Sequence, residues 1–299
     1  MKFKAFSFSF FLCFLLISSV SASENAKLTF PSGPIDNFET FVKAFDSKRC
    51  AECHEDIYEE WSKSYHARSM VSSIKGIANF FTVGVPKEWE KELKKQEIIK
   101  CLDCHLPQIK FATESLAQEI AGYMIKAKIG KNKEKENAIA KLKRINISCY
   151  GCHNIKIAGT APGITGHIKP GVIYTAGEGE SDAHETEYAP ILKRSFFCIQ
   201  CHGVYIAPDG ESTYCNTLSG SYVHSYLGHG GRKTCQECHM YRKSRGHKMP
   251  GGHNLEIVKE GIDFQAEIRA FRYGVGKWAP AVNVEAFLTN KAGHRIPDG

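Results

Sequence analysis

A five-residue pattern, Cys-x-x-Cys-His, occurs five times in this chain of 299 residues. It accounts for ten of the 12 cysteines and five of the 13 histidines. The first cysteines of successive motifs lie 51, 48, 49 and 37 residues apart, so the motifs are spread through most of the chain. The motif residues are Cys50, Cys53 and His54; Cys101, Cys104 and His105; Cys149, Cys152 and His153; Cys198, Cys201 and His202; and Cys235, Cys238 and His239.

This spacing is typical of the attachment site of a c-type haem. The two thiols add to the two vinyl groups of one porphyrin, and the adjacent imidazole binds the iron. The sequence therefore predicts five covalently attached haem c groups, each with the motif histidine as its proximal ligand. Structural zinc held by paired Cys-x-x-Cys units is the alternative. Zinc does not require a histidine after every second cysteine, and five units would leave one without a mate.

Residues 1–22 have the features of a secretory signal peptide. Lys2 and Lys4 precede an apolar segment over residues 8–17, and a small residue, Ala22, ends a plausible cleavage sequence. An uncleaved anchor is the alternative, although the apolar run is shorter than a helix that spans a bilayer. We therefore expect an exported protein, periplasmic or extracellular, whose contact with a membrane is at most peripheral.

The formal charge of +7 does not indicate nucleic acid binding. Removal of the signal peptide would lower it to +5, and the propionates of five haems would bring it to roughly −5. The Lys-rich run over residues 126–144 is interrupted by Glu134 and Glu136, which is typical of a solvated helix face rather than a docking patch. The expected partners are redox proteins: a quinol-side donor and a periplasmic or extracellular acceptor.

Residues 23–253 are predicted to form a mainly α-helical domain with extensive loops wrapped around the five haems. Segments rich in Gly, Pro and acidic residues, 159–171 and 177–190, predict loops, and no regular sheet is expected in this part. Helical periodicity appears over residues 87–100 and in the apolar series Leu116, Ile120, Met124, Ala138 and Leu142.

Residues 254–299 have a different pattern. Apolar and polar residues alternate over 262–270 and again over 282–288, which predicts two β-strands. Because two strands do not make an independently stable sheet, we expect them to begin a larger, sandwich-like β-domain of which this sequence is a fragment. A terminal hairpin packed on the haem domain is the alternative.

Eight histidines remain as candidates for five distal iron positions. Three of them, His167, His247 and His294, lie in the same local sequence, Gly-His-x-x-Pro, which is called the Gly-His-x-x-Pro phrase below. The glycine and proline make a stiff turn that can present an imidazole at a small entropic cost, so these three are preferred over the alternative of plain surface turns. The other distal candidates are His66, His224 and His253.

The other candidate ligands are weaker. His184, in an acidic loop, is predicted to be a bystander, and His229 stays undecided. Met70 and Met240 are alternative ligands, but the supply of histidines favours bis-histidine haems of low potential. Cys215, the remaining cysteine of the mature chain, is interpreted as a buried thiol without a chemical role.

Residues 50–70 read CAECHEDIYEEWSKSYHARSM and include Trp61, Ser64 and His66. This segment resembles the opening of multihaem cytochromes related to the tetrahaem cytochrome c of ammonia oxidisers and to octahaem hydroxylamine oxidoreductase. The later phrases TCQECHM, GHKMPGGHN and LTNKAGHRIPDG are similar to a branch of that superfamily with a C-terminal β-domain. The resemblance implies close-packed haem pairs and His66 as a distal ligand to the haem of another motif. This chain has five motifs rather than four or eight.

Two functions follow as hypotheses. In the first, five bis-histidine haems relay electrons, and no substrate contacts iron. In the second, one haem has an open position at which nitrite, hydroxylamine or a sulfur oxyanion is converted; the fourth motif, beside the stretch near Cys215, is the candidate. Assembly into an oligomer or a conducting filament is a third alternative.

Overall fold

The computed structural model describes residues 28–157, 169–203, 218–274, 276 and 279–296. The predicted signal peptide, most of the predicted loop over 159–171, His167 and Cys215 lie outside the described residues. Within the part of the chain that is described, no helix is both long enough and apolar enough to cross a bilayer.

The described chain is mostly helical, as the sequence predicts, and many of its helices are short. The α-helices are α1 (Phe38–Ala44), α2 (Lys48–Ala51), α3 (Glu55–Ser62), α4 (Ser69–Ser72), α5 (Ile74–Asn79), α6 (Lys95–His105), α7 (Glu114–Ile129), α8 (Asn132–Leu142), α9 (Ser195–Ile199), α10 (Leu218–Ser221) and α11 (Leu255–Gly261). Wider π-helical turns span Phe80–Glu88, Gly151–Ile155, Tyr222–Tyr226 and Glu237–Tyr241. Tighter 3₁₀ turns span His66–Arg68, Pro107–Phe111, Pro190–Lys193, Leu227–His229, Arg242–Ser244 and Gly246–Lys248. The strands are β1 (Ile173–Thr175), β2 (Thr186–Tyr188), β3 (Ile262–Tyr273) and β4 (Ala279–Asn290).

The main apolar core lies within residues 28–157. Helix α7 begins after Thr113, whose side chain accepts a hydrogen bond from the backbone N–H of Leu116 and so caps the helix. The apolar stripe of α7 packs in this core together with that of α8, which confirms the helices predicted from this series. Five of its side chains are buried: Leu116, Ile120, Met124, Ala138 and Leu142.

The helix predicted over residues 87–100 is partly wrong. Helix α6 begins only at Lys95, and it runs through the second motif to His105. Glu90 has a positive φ of 52°, which interrupts helical geometry upstream. The start at Lys95 is fixed by tertiary contact, because its backbone N–H donates to Glu114 Oε1 at 2.8 Å.

A short sheet between the third and fourth motifs corrects the expectation that this part contains no regular sheet. Strands β1 and β2 pair in parallel, with Ile173 opposite Thr186 and Thr175 opposite Tyr188. β2 lies inside the segment 177–190 that the sequence predicts as a loop. A second small core surrounds β1 and contains Ile157, Val172, Tyr174, Ala189 and Leu192.

Strands β3 and β4 form an antiparallel hairpin in which Ile262 pairs with Asn290 and Tyr273 pairs with Ala279. Both predicted strands are confirmed, and each is longer than predicted. Almost every residue of the hairpin is exposed. Within the described residues, no further strand pairs with the hairpin, and the helices do not cover its strands.

Candidate haem-binding sites

Each motif lies on about one helical turn. The backbone N–H of His54 donates to the carbonyl of Cys50 at 2.8 Å, and that of His202 donates to Cys198 at 2.9 Å. Because residues three and four apart lie on the same side of a helix, the two thiols and the imidazole of a motif face the same way. This is the arrangement that one covalently bound porphyrin requires.

Four of the five motif histidines face a second imidazole. The ring centres are separated by 6.4 Å for His54 and His184, 6.0 Å for His66 and His202, 6.3 Å for His153 and His247, and 6.3 Å for His239 and His294. Among the described residues, no group of three or more His, Cys, Asp or Glu side chains forms a metal-binding cluster.

These separations fit two ligands of one iron. With metal–nitrogen bonds of about 2.0 Å and roughly 1.1 Å from each nitrogen to its ring centre, opposed imidazoles on one iron have centres about 6.2 Å apart. Each ring plane contains the nitrogen–metal axis, so any angle between the two planes is compatible. The observed angles range from 17° for His239 and His294 to 84° for His66 and His202.

Backbone carbonyls hold several of these rings through the Nδ1 atom. His153 Nδ1 lies 2.8 Å from the carbonyl of Tyr174 in β1, and His239 Nδ1 lies 2.7 Å from that of Pro250. A carbonyl can only accept, so Nδ1 carries the proton in both rings. Their Nε2 atoms are left unprotonated, which is the form that binds a metal ion.

In the pair of His66 and His202, His66 is the less exposed ring. Burial, followed by the charges of His202 and His105, lowers the pKa of His66 to about 4. Burial also lowers the pKa of His202. The Nδ1 atom of His66 is buried and has no hydrogen-bond partner. A buried, neutral imidazole has one unprotonated nitrogen, which is the form that binds a metal ion.

His105 of the second motif is held differently. Its Nδ1 lies 3.0 Å from the hydroxyl of Ser73, and its carbonyl accepts a hydrogen bond from Ser69 at 2.7 Å. Burial lowers the pKa of His105. No second imidazole faces it among the described residues, which do not include the predicted ligand His167.

A carboxylate fixes the turn that carries His247. The backbone N–H of His247 donates to Glu60 Oε2 in α3 at 2.9 Å. Gly246 has a φ of +54°, and a Cβ atom there would collide with the carboxylate of Glu60. A glycine at this position suits the positive φ, and any side chain there would have to displace the carboxylate of Glu60.

Cysteines of different motifs lie in contact. Three thiol–thiol hydrogen bonds connect Cys50 to Cys149, Cys201 to Cys104 and Cys198 to Cys235. In the first pair the thiol of Cys50 donates, which raises the pKa of Cys50 and lowers that of Cys149 to about 7. The first motif therefore lies beside the third, and the fourth motif lies beside both the second and the fifth.

A partly buried ion pair lies where the second and fourth motifs meet. Lys156 Nζ lies 2.8 Å from Asp103 Oδ2, and Asp103 lies between the two cysteines of the second motif. Burial opposes ionisation of Asp103, but hydrogen bonds and charges from Lys156 and Lys110 outweigh it and lower the pKa of the carboxyl. Asp103 is therefore a carboxylate at neutral pH.

The structure places three of the predicted distal candidates opposite motif histidines. His66 faces His202, His247 faces His153, and His294 faces His239. The structure also brings His184 to His54, although the sequence predicts His184 to be a bystander. No local signal marks His184, because its position depends on the pairing of β2 with β1. The sequence reasoning likewise missed Glu60.

Other predicted candidates have different surroundings. The ring of His253 stacks on Tyr65 with centres 4.6 Å apart. His224 lies in the π-helical turn over residues 222–226 and, within the described chain, faces no motif histidine. Met70 is buried in the main apolar core.

A comparison with protein families gives a match to part of the chain. The family model described as cytochrome c554 and c-prime matches residues 49–121, which hold the first two motifs and His66. No curated protein and no solved structure matches the chain. The match supports a c-type cytochrome, a class of electron-transfer protein that binds haem c covalently.

Proposed function

We propose that this c-type cytochrome is an exported pentahaem protein that transfers electrons between redox partners. Each haem, when bound, would supply an iron that accepts or releases one electron. The chain would hold each haem by two thioethers and the proximal imidazole of one motif. The number of haems rests on the five repeats of the motif.

The pairing of imidazoles is the observation that carries the proposal. Four motif histidines face a second histidine at the spacing of two ligands on one iron. An iron with imidazoles on both sides has no position left for a substrate, so the pairs favour electron transfer over catalysis at iron. Imidazole on both sides also favours low reduction potentials.

The proposed distal ligands follow from these pairs, with His167 added for the second motif. The phrase around His167 is shared with His247 and His294, and each of those two faces a motif histidine. The proposed pairs are His54 with His184, His105 with His167, His153 with His247, His202 with His66, and His239 with His294.

The order of the motifs in space supports a continuous relay. Contacts between thiols join the first motif to the third, and the fourth to the second and the fifth. Cys152 of the third motif interacts electrostatically with Cys198 and Cys201 of the fourth. The fourth motif would therefore be the junction through which the first and third motifs communicate with the second and fifth.

Export and partners complete the proposal. The features of residues 1–22 are those of a signal peptide, which supports a periplasmic or extracellular site. A quinol-side donor and a periplasmic or extracellular acceptor are the proposed partners, with membrane contact at most peripheral. End-to-end assembly into a filament would extend the same relay.

Haem content and electron uptake test the proposal on the purified, haem-loaded chain. The intact mass should exceed that of the mature polypeptide by five haems, and reductive titration should take up five electrons per chain. Cys235→Ser with Cys238→Ser should lower both counts by one. A chain that retains zinc, or fewer than five haems, would contradict the proposal.

Matched histidine variants test the distal pairs. Replacing His184 by methionine should raise the potential of one haem, because a thioether ligand favours the reduced state more than imidazole does. His253→Met is the control, since the ring of His253 stacks on Tyr65 instead of facing a motif histidine. The assignment fails if His253→Met shifts a potential and His184→Met shifts none.

A further inference from the structure

Lys156 has a buried ammonium group between two haem-binding motifs. Its side chain is 7% exposed, and Nζ is 2.8 Å from Asp103 Oδ2 in the second motif. The ammonium group also interacts electrostatically with the sulfur atoms of Cys104 and Cys201, one from the second motif and one from the fourth. These two cysteines are themselves in contact. The charge therefore lies at the junction of the two motifs.

The fourth motif fixes the position of this charge. The carbonyl of Lys156 accepts a hydrogen bond from Gln200 Nε2 at 3.1 Å, and Gln200 directly precedes Cys201. The carbonyl of Gln200 in turn lies 3.9 Å from the sulfur of Cys104. Lys156 is thus tied to the fourth motif through its backbone and to the second motif through its side chain.

The local charge is positive. Asp103 binds two cations, because its Oδ1 lies 3.0 Å from Lys110 Nζ while Oδ2 binds Lys156. Two ammonium groups and one carboxylate leave one net positive charge. The two cations differ in exposure, since the side chain of Lys110 is 47% exposed and that of Lys156 is 7% exposed. Water and salt screen an exposed charge far more than a buried one, so Lys156 dominates the local field.

We propose that Lys156 is a potential-setting residue that raises the reduction potentials of the haems held by the second and fourth motifs. The ferric form of a haem carries one more positive charge than the ferrous form. A buried cation nearby destabilises the ferric form and favours reduction. This inference rests on the proposed function, because it requires haems at Cys104 and Cys201. Electrons within the relay would then reside preferentially on these two haems.

Two lysine variants with the same change of formal charge test this role. Spectroelectrochemical titration of the haem-loaded chain should show two of five potentials falling in Lys156→Met. The expected fall corresponds to at least a tenfold change in the ratio of oxidised to reduced haem, about 59 mV for one electron. Lys110→Met should change that ratio less than threefold. Equal shifts in the two variants, or a shift spread over all five haems, would overturn the proposal.

A variant of opposite sign separates charge from structural damage. Asp103→Asn removes the negative partner, so it should raise the same two potentials. Lys156→Gln keeps a hydrogen-bond donor near Asp103 and should lower them, which covers the case in which Lys156→Met does not fold. A residue with a merely structural role would not move the potentials in opposite directions.

Haem content on the same samples separates the two proposals. Five haems per chain with unmoved potentials would overturn the role of Lys156 and leave the proposed function intact. Absence of haem from the second or fourth motif in the unsubstituted chain would overturn the proposed function itself.

Discussion

The two ends of the described chain are stabilised in different ways. Residues 28–157 contain a continuous apolar core in which Leu102, Ile109 and Ile120 have no exposed surface. Within the described residues of 218–296, no apolar side chain is buried. A segment of this length without an apolar core cannot be stable through side-chain packing alone. The comparison indicates that the C-terminal segment depends on contacts other than an apolar core.

The histidine pairs supply such contacts. His247 faces His153 across the chain, and His294 faces His239 within the C-terminal segment itself. Under the proposed function each pair is bridged by iron, so haem binding replaces the missing core. The N-terminal segment carries haem motifs as well, but its helices also pack through apolar side chains.

The largest predicted effect is local unfolding on loss of the haem proposed for the fifth motif. Cys235→Ser with Cys238→Ser should remove protection against amide hydrogen exchange from β3, β4 and α11, because these elements have no fully buried apolar side chain to hold them. Protection in α6 and α7 should be unchanged. Hydrogen-exchange mass spectrometry measures both regions in one sample. Retained protection in the hairpin would show that haem ligation does not order this region.

The next largest predicted effect is a loss of stability when a buried leucine, but not an exposed one, is replaced by alanine. Leu102→Ala in α6 removes a side chain with no exposure and should lower the free energy of unfolding by about 2–5 kcal/mol. Leu288→Ala in β4 removes one that is 71% exposed and should change it by less than about 0.5 kcal/mol. Denaturant titration followed by far-ultraviolet circular dichroism compares the two. Similar losses would mean that the hairpin is covered in solution.

Two glycines on either side of His247 test how its ring is held. Gly246→Ala forces a side chain into a positive φ and against Glu60, and should cost about 1–3 kcal/mol while perturbing the spectrum of one haem. Gly251→Ala is the control, because a Cβ atom there meets nothing within 4 Å. Thermal melts and oxidised absorption spectra report the two effects. If both variants behave alike, Glu60 does not position His247.

The smallest predicted effect is electrostatic. Glu39 of α1 lies 2.8 Å from Lys141 Nζ of α8 and also binds Arg144, and their hydrogen bonds lower its pKa to about 2. A lowered carboxyl pKa stabilises the fold above the ordinary value of 4.5, and this contribution is lost as the pH falls towards 2. The pair is exposed, so the contribution is small. Melting temperatures of the wild type and Glu39→Gln should differ slightly at pH 7 and converge at pH 2. A difference that grows on acidification would contradict this assignment.

The sequence predicted what local patterns encode. The helices α7 and α8 follow from the 3.6-residue spacing of Leu116 and its neighbours, and the hairpin follows from two-residue alternation. The spacing within each motif fixes which residues lie on one side of a helical turn.

Features set by distant contacts could not be predicted. His184 faces His54 because β2 pairs with β1, and neither strand has a strong sequence pattern. The start of α6 depends on Glu114, 19 residues away. The burial of Lys156 follows from the approach of the second and fourth motifs, which no local periodicity describes.

The electron paramagnetic resonance spectrum of the oxidised, haem-loaded chain tests the central claim most directly, with haem content measured on the same sample. If paired histidines ligate every iron, the spectrum should account for five low-spin haems per chain and should not change on addition of nitrite or hydroxylamine. A high-spin signal near one haem equivalent, shifting with either compound, would contradict the account and reveal an open coordination position.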